Sequence, residues 1–147
     1  MSLKQFGLDR SLIVGLREEM GDRFKVDLVF DGYTMPAERP LITIENMQSN
    51  YEILSKEREA IQAIYRYQIG LYDVNSVDLS INKERLVDMF NFKRFNYFET
   101  SPDNIEGFFY CELTAVTPML ASDISKRSEY DRAYFDIEIE SIKRRGC

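Results

Sequence analysis

The stretch AIQAIYRYQIGLYDVNS, residues 60–76, decides the fold of this chain. Its alternate residues are apolar or aromatic and polar residues fall between them; the apolar set is Ile61, Ala63, Tyr65, Tyr67, Ile69 and Leu71. Because successive side chains of a strand point to opposite faces, this alternation predicts a long strand over residues 60–72 that is buried on one face. Asp73 and Asn75 then interrupt the pattern, which indicates a turn directly after the strand.

A helix of about four turns is predicted after this turn. Asn75 or Ser76 is a suitable N-cap, and Asp78 and Lys93 complement the helix dipole at the two ends. The residues that recur at helical spacing are Val77, Leu79, Leu86, Val87, Met89 and Phe90. The chain therefore places a long amphipathic helix next to its longest strand.

Residues 9–20 predict a second amphipathic helix near the N-terminus. Asp9 or Ser11 would start it, and Gly21 would end it. Gly15 in the middle weakens the prediction, since Gly is about 1 kcal/mol less favourable than Ala inside a helix. The apolar residues at spacings of four are Leu12, Leu16 and Met20.

Five further segments have the composition of strands. Residues 23–30, 41–47 and 134–143 alternate apolar and polar side chains, so each predicts a half-buried strand. Residues 107–116 are apolar on both faces and predict a central strand, whereas residues 92–99 predict a short edge strand. The fold class is therefore α+β, with a mostly antiparallel sheet covered on one face by the long helix and with the additional N-terminal helix.

Two segments, 46–59 and 117–131, are candidates for arms that project from the domain. In the first, Tyr51 and Leu54 have the spacing of a helical turn, but an extended hairpin would use the same residues. The second is polar enough to form a long loop or another arm. No repeat, low-complexity tract or linker divides the chain, so residues 1–147 are predicted to form a single domain.

The charge and composition disfavour several classes of function. A net charge of −6 argues against a surface that holds nucleic acid, because such surfaces concentrate Lys and Arg. The chain has no His, which removes Ser-His and Cys-His nucleophile pairs, most zinc sites and the usual general base. Glycine-rich phosphate loops are absent as well. We therefore expect no catalytic residues, no metal and no cofactor.

The densest row of carboxylates lies on the last predicted strand, at Asp136, Glu138 and Glu140. Several oxygen ligands on one face could hold a divalent cation. The simpler interpretation is a solvated strand face that pairs with Arg66 from a neighbouring strand, since no EF-hand spacing or glycine turn accompanies the row. The sequence favours this second interpretation.

Cysteine usage and the N-terminus indicate the compartment. Cys111 lies in an apolar run and Cys147 is the last residue, and two cysteines without a framework predict free thiols in a reducing compartment. The chain has no apolar signal region and no run of about 20 apolar residues that would span a bilayer. A cytosolic protein without membrane contact is expected where it is made.

The segment RPLITIENMQSNYEILSKEREAIQAIYRYQIGLYDVNSVDLSINKERLVDMFNF, residues 39–92, resembles the tail-completion and tail-terminator proteins of tailed bacteriophages, the head-to-tail joining group. The likeness lies in an extended strand pair, a long strand ending in IGLYDVNS, and a following helix that ends at an aromatic pair. With the N-terminal helix and the final strand FDIEIESIK, the layout can be followed over most of the chain.

This resemblance implies a structural protein of the virion, located in the tail or neck and assembled in the host cytoplasm. Such proteins form a ring, commonly a hexamer, that completes or terminates the tail tube and joins it to the head connector. The implied partners are copies of the same chain, the tail tube protein and head connector proteins. DNA would pass through the ring without specific binding.

Ring subunits meet through heterologous interfaces, in which one patch contacts a different patch on the next subunit. The chain has more aromatic residues than one covered sheet face needs. Because few basic residues lie among them, they favour a contact between subunits over a surface that stacks nucleobases. The residues predicted at the interface are Tyr51, Arg58, Tyr65, Arg66, Tyr67 and Tyr72. We expect the side of the long strand that carries Arg66, Gln68 and Tyr72 to be partly buried only when a neighbour docks.

Two alternatives follow from the same residues. A non-viral interaction module would bind a partner along an exposed edge strand of the sheet. An enzyme would need a cleft in which carboxylates such as Glu138 and Glu140 converge, and it is the less favoured of the two.

Overall fold

The structure, a computed structural model, describes residues 3–54, 59–119 and 131–144. Two helices pack on one face of a six-stranded sheet, and a two-stranded sheet lies beside them. The helices are α1 (Gln5–Met20) and α2 (Ser76–Phe92). The strands are β1 (Lys25–Leu28), β2 (Leu41–Asn46), β3 (Asn50–Ile53), β4 (Ala60–Tyr72), β5 (Phe95–Tyr97), β6 (Gly107–Phe109), β7 (Glu112–Met119) and β8 (Arg132–Arg144).

The large sheet has the order β1-β2-β4-β8-β7. β2 and β3 pair with the same edge of β4, β3 along its first half and β2 along its second half. β4 and β8 are antiparallel over their whole length, from the Ala60 and Arg144 pair to the Tyr72 and Arg132 pair. All pairings are antiparallel except β1 with β2, which is parallel. The α+β class with a mostly antiparallel sheet is confirmed, and β1 makes the sheet mixed.

The core lies between the sheet and the helices. The apolar face of β4 predicted from its alternation is the buried face, and Ala63, Ile69 and Leu71 are completely buried there. β8 contributes Ala133, Phe135, Ile137 and Ile139 to the same layer. Both helices are required to cover this face, because each packs against different strands. α1 packs against β1, β2 and β5, and α2 packs against β4, β7 and β8.

Helix α2 begins as predicted. Asn75 is its N-cap, and the Oδ1 of Asn75 accepts a hydrogen bond of 2.8 Å from the backbone N–H of Asp78. Helix α1 begins earlier than predicted, after Lys4, and no side chain caps it. Asp9 and Ser11 therefore lie inside the helix, where Ser11 donates a hydrogen bond to the Gly7 carbonyl and accepts one from the Phe98 N–H.

The prediction of one central strand over residues 107–116 is wrong. The segment divides into β6, which pairs with β5 in the small sheet, and β7, which is an edge strand of the large sheet. Phe109 and Cys111 point into the core on either side of the break, and a bulge follows between Leu113 and Ala115. Residues 107–116 are apolar on both faces because the chain passes from the small sheet to the large sheet within this segment. The periodicity of the sequence alone does not reveal this change of sheet.

The two predicted arms are described only in part. Residues 50–53 form β3, so the extended alternative is confirmed there and the helical turn is wrong. Residues 55–58, which include Arg58, and residues 120–130 of the second arm lie outside the described residues. Neither of the two helices in the described ranges is both long and apolar enough to cross a membrane.

Candidate functional site

The candidate site is the face of the large sheet opposite the helices, which we call the open face. It consists of the even-numbered residues 62–72 of β4 and 132–142 of β8, with Glu45 of β2 and Glu112 of β7 beside them. Strand alternation places these side chains away from the core. Within residues 3–54, 59–119 and 131–144, no helix packs on this face, and the helices contact the other one.

Five carboxylates form a band across the middle of the open face, which we call the acidic band: Glu45, Glu112, Asp136, Glu138 and Glu140. The three on β8 follow the alternation of the strand, about 7 Å apart. Glu45 and Glu112 are exposed and lie on the neighbouring strands to either side. The band therefore spans four adjacent strands of the sheet.

Each carboxylate on β8 contacts a different side chain of β4. Arg66 Nε donates a hydrogen bond of 3.0 Å to Glu138 Oε1, and the two side chains form an ion pair in which both are about one-third exposed. Gln68 Nε2 donates to Asp136 at 3.4 Å, and Gln62 Nε2 donates to Glu140. The predicted pairing of the carboxylate row with Arg66 is confirmed, and the band keeps an excess of negative charge.

One end of the open face has a different chemistry. The hydroxyls of Tyr72 and Tyr134 are 3.3 Å apart, and the Arg39 guanidinium lies 5.5 Å from the centre of the Tyr72 ring. Burial, followed by the hydrogen bond with Tyr134, raises the pKa of Tyr72. These contacts keep the phenol protonated and order the end of the sheet at which β2 and β7 flank β4 and β8.

The opposite end of the sheet has an uncovered edge. β7 pairs with β8 only as far as Glu138, so residues 140–143 of β8 have no described strand partner on their outer edge. Beside them is an open groove of about 490 Å³, which we call the aromatic notch, lined by Leu3, Phe108, Tyr110, Ser141 and Ile142. Phe108, Tyr110 and Ile142 are 53%, 59% and 42% exposed.

A second apolar surface lies on the opposite edge of the sheet, on β3 and the residue after it. Tyr51, Ile53 and Leu54 are 59%, 51% and 49% exposed, and we call them the β3 strip. Among the described strands, β4 pairs with one edge of β3 and none pairs with the other edge. The Tyr51 ring contacts the edge of the Tyr65 ring at a centroid distance of 6.4 Å, which is the link between the strip and the core.

The predicted interface residues divide into two groups. Tyr65 and Tyr67 are each 1% exposed and are covered by the start of α1 within the same chain. The Tyr65 hydroxyl donates a hydrogen bond of 3.2 Å to the carbonyl of Leu3, just before α1, and the Tyr67 hydroxyl donates one of 2.7 Å to Asp9 of α1. In this conformation the two rings hold α1 on the sheet and present no surface to a neighbour.

The other predicted interface residues lie at or near the open face and the edge. Tyr51 is exposed on the β3 strip, and Arg66 is partly exposed in the acidic band. The side of the strand that carries Tyr72 was expected to be buried only when a neighbour docks. Tyr72 is already buried within the chain, because Arg39 and Tyr134 cover it. Arg58 lies outside the described residues.

Neither the acidic band nor Cys111 has the geometry of a reactive centre. No group of three or more His, Cys, Asp or Glu side chains that could hold a metal ion occurs in the ranges that the structure describes. The three carboxylates on β8 follow one another at intervals of about 7 Å, and Glu45 and Glu112 lie on other strands. Cys111 is a buried free thiol whose pKa is raised by that burial, so it lacks the thiolate needed for nucleophilic attack.

Sequence reasoning missed the aromatic notch. Phe108 and Tyr110 alternate with the buried residues Phe109 and Cys111, which is the signal of a strand with one exposed face. The alternation is not visible in the sequence GFFYC, residues 107–111, because both faces of this segment carry aromatic residues. The notch is open because β7 stops pairing with β8 at Glu138, and the local sequence gives no signal of this end point.

Comparison with known proteins gives no support for a particular family. No protein-family model matches the chain, and a search of curated proteins finds no match to it.

Proposed function

We propose that the protein is a structural subunit of a tailed-bacteriophage virion, forming a ring that completes or terminates the tail tube and joins it to the head connector. The sequence resemblance suggests this function, and one observation supports it most: the uncovered sheet face that carries the acidic band. A globular subunit with two helices on one side and an open charged sheet on the other is suited to line a passage.

The chemistry of the acidic band suits a passage for DNA. Carboxylates repel the phosphate backbone, whereas a basic surface would hold it by releasing counterions. Glu45, Glu112 and Glu140 are exposed, and Arg66, the basic residue within the band, is engaged by Glu138. DNA could therefore slide past this face without being retained.

Contacts between subunits would use the edges of the sheet and the exposed apolar side chains. Aromatic and aliphatic residues are typical of the centres of oligomer interfaces. Among the predicted interface residues, Tyr51 has the surface for such a contact, and Arg66 faces the passage. The partners of the ring would be the tail tube protein on one side and head connector proteins on the other.

Assembly on tail tubes tests this function directly. The purified protein is mixed with tail tubes of the phage that encodes it, and the tubes are imaged by electron microscopy after removal of unbound protein. We expect a ring, with hexameric symmetry, at one tube end. Tubes that remain bare, together with a protein that stays monomeric at all concentrations, would refute the proposal.

The passage is tested by reversing charge on the open face. The double variant Glu45→Lys and Glu112→Lys adds positive charge to the acidic band, so its ring should retain double-stranded DNA at low salt while the unmodified ring does not. The matched control is Glu18→Lys with Glu84→Lys, which makes the same change in net charge at exposed positions of α1 and α2. Equal DNA retention by both double variants would show that the open face does not line the passage.

The uncovered edges also support a second candidate, an interaction module that binds an extended peptide of a non-viral partner. Backbone groups on an open edge accept an added strand, and neighbouring side chains select its sequence. Such a module would remain monomeric and would bind a peptide with or without tail tubes, so the assembly experiment separates the two functions.

A further inference from the structure

The aromatic notch lies between an uncovered stretch of β8 and the segment that leads into β7. Ser141 and Leu3 line it on the helix side, where Ser141 Oγ accepts a hydrogen bond of 2.9 Å from the Leu3 N–H. Glu140 and Ile142 line it on the side of the open face, because strand alternation turns both away from the core. Residues 108–110 form the opposite wall. The notch therefore runs along a strand edge and has two chemically different sides.

The side of the notch toward the open face is acidic. Glu140 lines the notch and also an adjoining pocket of about 290 Å³, and Tyr110 lines both as well. Glu112 and Glu138 line the same adjoining pocket. Arg66 is the ion-pair partner of Glu138, whereas Glu112 and Glu140 form no ion pair with another described residue. Two carboxylates without a counter-charge among the described residues therefore border this side of the notch.

The basic groups beside the notch lie elsewhere. Strand alternation places Lys143 on the helix side, where its Nζ donates a hydrogen bond of 3.2 Å to the Leu3 carbonyl. Arg94 is exposed, and its guanidinium lies 4.8 Å from the centre of the Phe108 ring. A basic side chain that enters the notch is attracted to the open-face side and repelled by these two groups. The charges therefore orient an incoming segment as well as attract it.

We propose that the notch binds an extended segment of a partner protein in which apolar and basic residues alternate, added as a strand to residues 140–143 of β8. Successive side chains of a strand point to opposite sides, so the apolar residues face the helix side while the basic residues face Glu140 and Glu112. β7 begins at the level of Glu138, which limits the added strand to the stretch opposite residues 140–143. Backbone hydrogen bonds supply affinity in this mode of binding, and the two sides of the notch select the sequence.

The charges of the described strands favour a partner protein over a second copy of this chain. Among them, β1, β3, β5, β6 and β7 each have an edge with which no described strand pairs, and none of these five carries a net positive charge. Lys25 and Asp27 offset each other on β1. The charged residues of β3 and β7 are Glu52 and Glu112. A neutral or acidic strand placed beside Glu140 lacks the complementary charge.

Fluorescence anisotropy with short labelled peptides tests the notch on the purified full chain. The probe alternates leucine and lysine, and two comparison peptides alternate leucine with glutamate and serine with lysine. We expect the leucine–lysine probe to bind at physiological salt and each comparison peptide to bind about tenfold more weakly, because each lacks the complement of one side of the notch. The same probe with N-methylated backbone amides should lose binding, since it donates no hydrogen bonds to the β8 edge.

Variants locate the binding site. Glu140→Lys should weaken the leucine–lysine probe about tenfold, whereas Glu84→Lys, the same change in charge at an exposed position of α2, should leave its affinity unchanged. Phe108→Ala removes an aromatic ring from the notch and should also weaken binding. Its control is Phe92→Ala, which removes an exposed ring from α2. Thermal unfolding checks that each variant is folded, and either notch variant locates the site if the other does not fold.

Several outcomes overturn the inference. Absence of binding by the leucine–lysine probe would refute the site, and equal binding of its N-methylated form would show that no strand is added. Equal weakening by a notch variant and its α2 control would place the peptide elsewhere. A fall in the assembly mass of Phe108→Ala in light scattering without peptide would show that a second copy fills the notch.

The inference does not require the proposed ring, because peptide binding is measured without tail tubes. Rings on tail tubes formed by a protein that binds no peptide would refute the inference alone. Bare tubes, together with a monomeric protein that binds the leucine–lysine probe, would refute only the proposed function. The two proposals therefore fail separately.

Discussion

The hydroxyl of Tyr67, on β4, donates a hydrogen bond of 2.7 Å to the carboxylate of Asp9 on α1. Asn46 of β2 donates a second, longer bond of 3.5 Å to the same carboxylate. Burial raises the pKa of Asp9 above its ordinary value of 3.8, although the two hydrogen bonds oppose that rise. Burial, and then the bond to Asp9, raise the pKa of Tyr67 as well. This pair attaches α1 to the centre of the sheet and makes the attachment sensitive to pH.

The first prediction concerns stability in mild acid. The folded state holds the Asp9 proton more tightly than the unfolded state, so the free energy of unfolding falls as pH rises from 3.8 through the raised pKa. Asp9→Asn removes this titration while its amide oxygen still accepts the Tyr67 bond, so its free energy of unfolding should fall less over that interval. Urea unfolding at several pH values measures the slope, and Asp88→Asn, at an exposed position of α2, is the control. Identical slopes for Asp9→Asn and the unmodified protein would contradict the assignment.

The second prediction concerns alkaline pH. Burial, with a hydrogen bond to Glu99, raises the pKa of Tyr97 to about 12 even though the Lys4 N–H opposes this shift. Between its ordinary pKa of 10.0 and the raised pKa the folded state keeps a proton that the unfolded state loses, so the free energy of unfolding decreases as pH rises. Tyr97→Phe should make this decrease shallower, as measured by urea unfolding from about pH 9 to pH 11. Tyr110→Phe, at an exposed ring, should leave the slope unchanged, and an unchanged slope in Tyr97→Phe as well would refute the prediction.

The third prediction concerns Gly15, which sequence reasoning regarded as a weak point of α1. A Cβ at this position would stand 2.7 Å from the Cδ1 of Phe95, so glycine permits the helix to approach the small sheet closely. Gly15→Ala should lower the free energy of unfolding by about 1–3 kcal/mol through overpacking, despite the better helix propensity of alanine. Ser80→Ala on the exposed side of α2 is the matched control and should be neutral or slightly stabilising. A stabilised Gly15→Ala protein in thermal unfolding would show that the approach is not close.

The fourth prediction concerns the N-cap of α2. Asn75 accepts from the Asp78 N–H through Oδ1 and donates to the Asp78 carboxylate through Nδ2 at 3.0 Å. Asn75→Ala leaves a terminal N–H without its acceptor and should lower the free energy of unfolding by about 1 kcal/mol, with Asn75→Gly losing less. Chemical denaturation measures both variants, and Asn91→Ala in the last turn tests for a general effect of removing an amide. A loss of similar size at both asparagines would argue against the cap.

Sequence periodicity alone determined the elements whose signals are local. The strand over residues 60–72 and the Asn75 cap have the bounds that their patterns predict, because alternation and capping depend on neighbours along the chain. The pairing of Arg66 with the carboxylate row was also foreseeable, since both alternate on the polar faces of predicted strands. The tail-joining function and its interface remain predictions, and the assembly and charge-reversal experiments address the function.

Only the tertiary structure decided which faces are covered and where the sheet ends. Tyr65 and Tyr67 were predicted to meet a neighbour, but α1 starts earlier than its cap signals indicate and lies over both rings. The division of residues 107–116 depends on which sheet each half joins, and the uncovered edge at residues 140–143 depends on where β7 stops pairing. These features arise from contacts between residues far apart in the chain, which a local pattern does not encode because the same alternation is compatible with several neighbours.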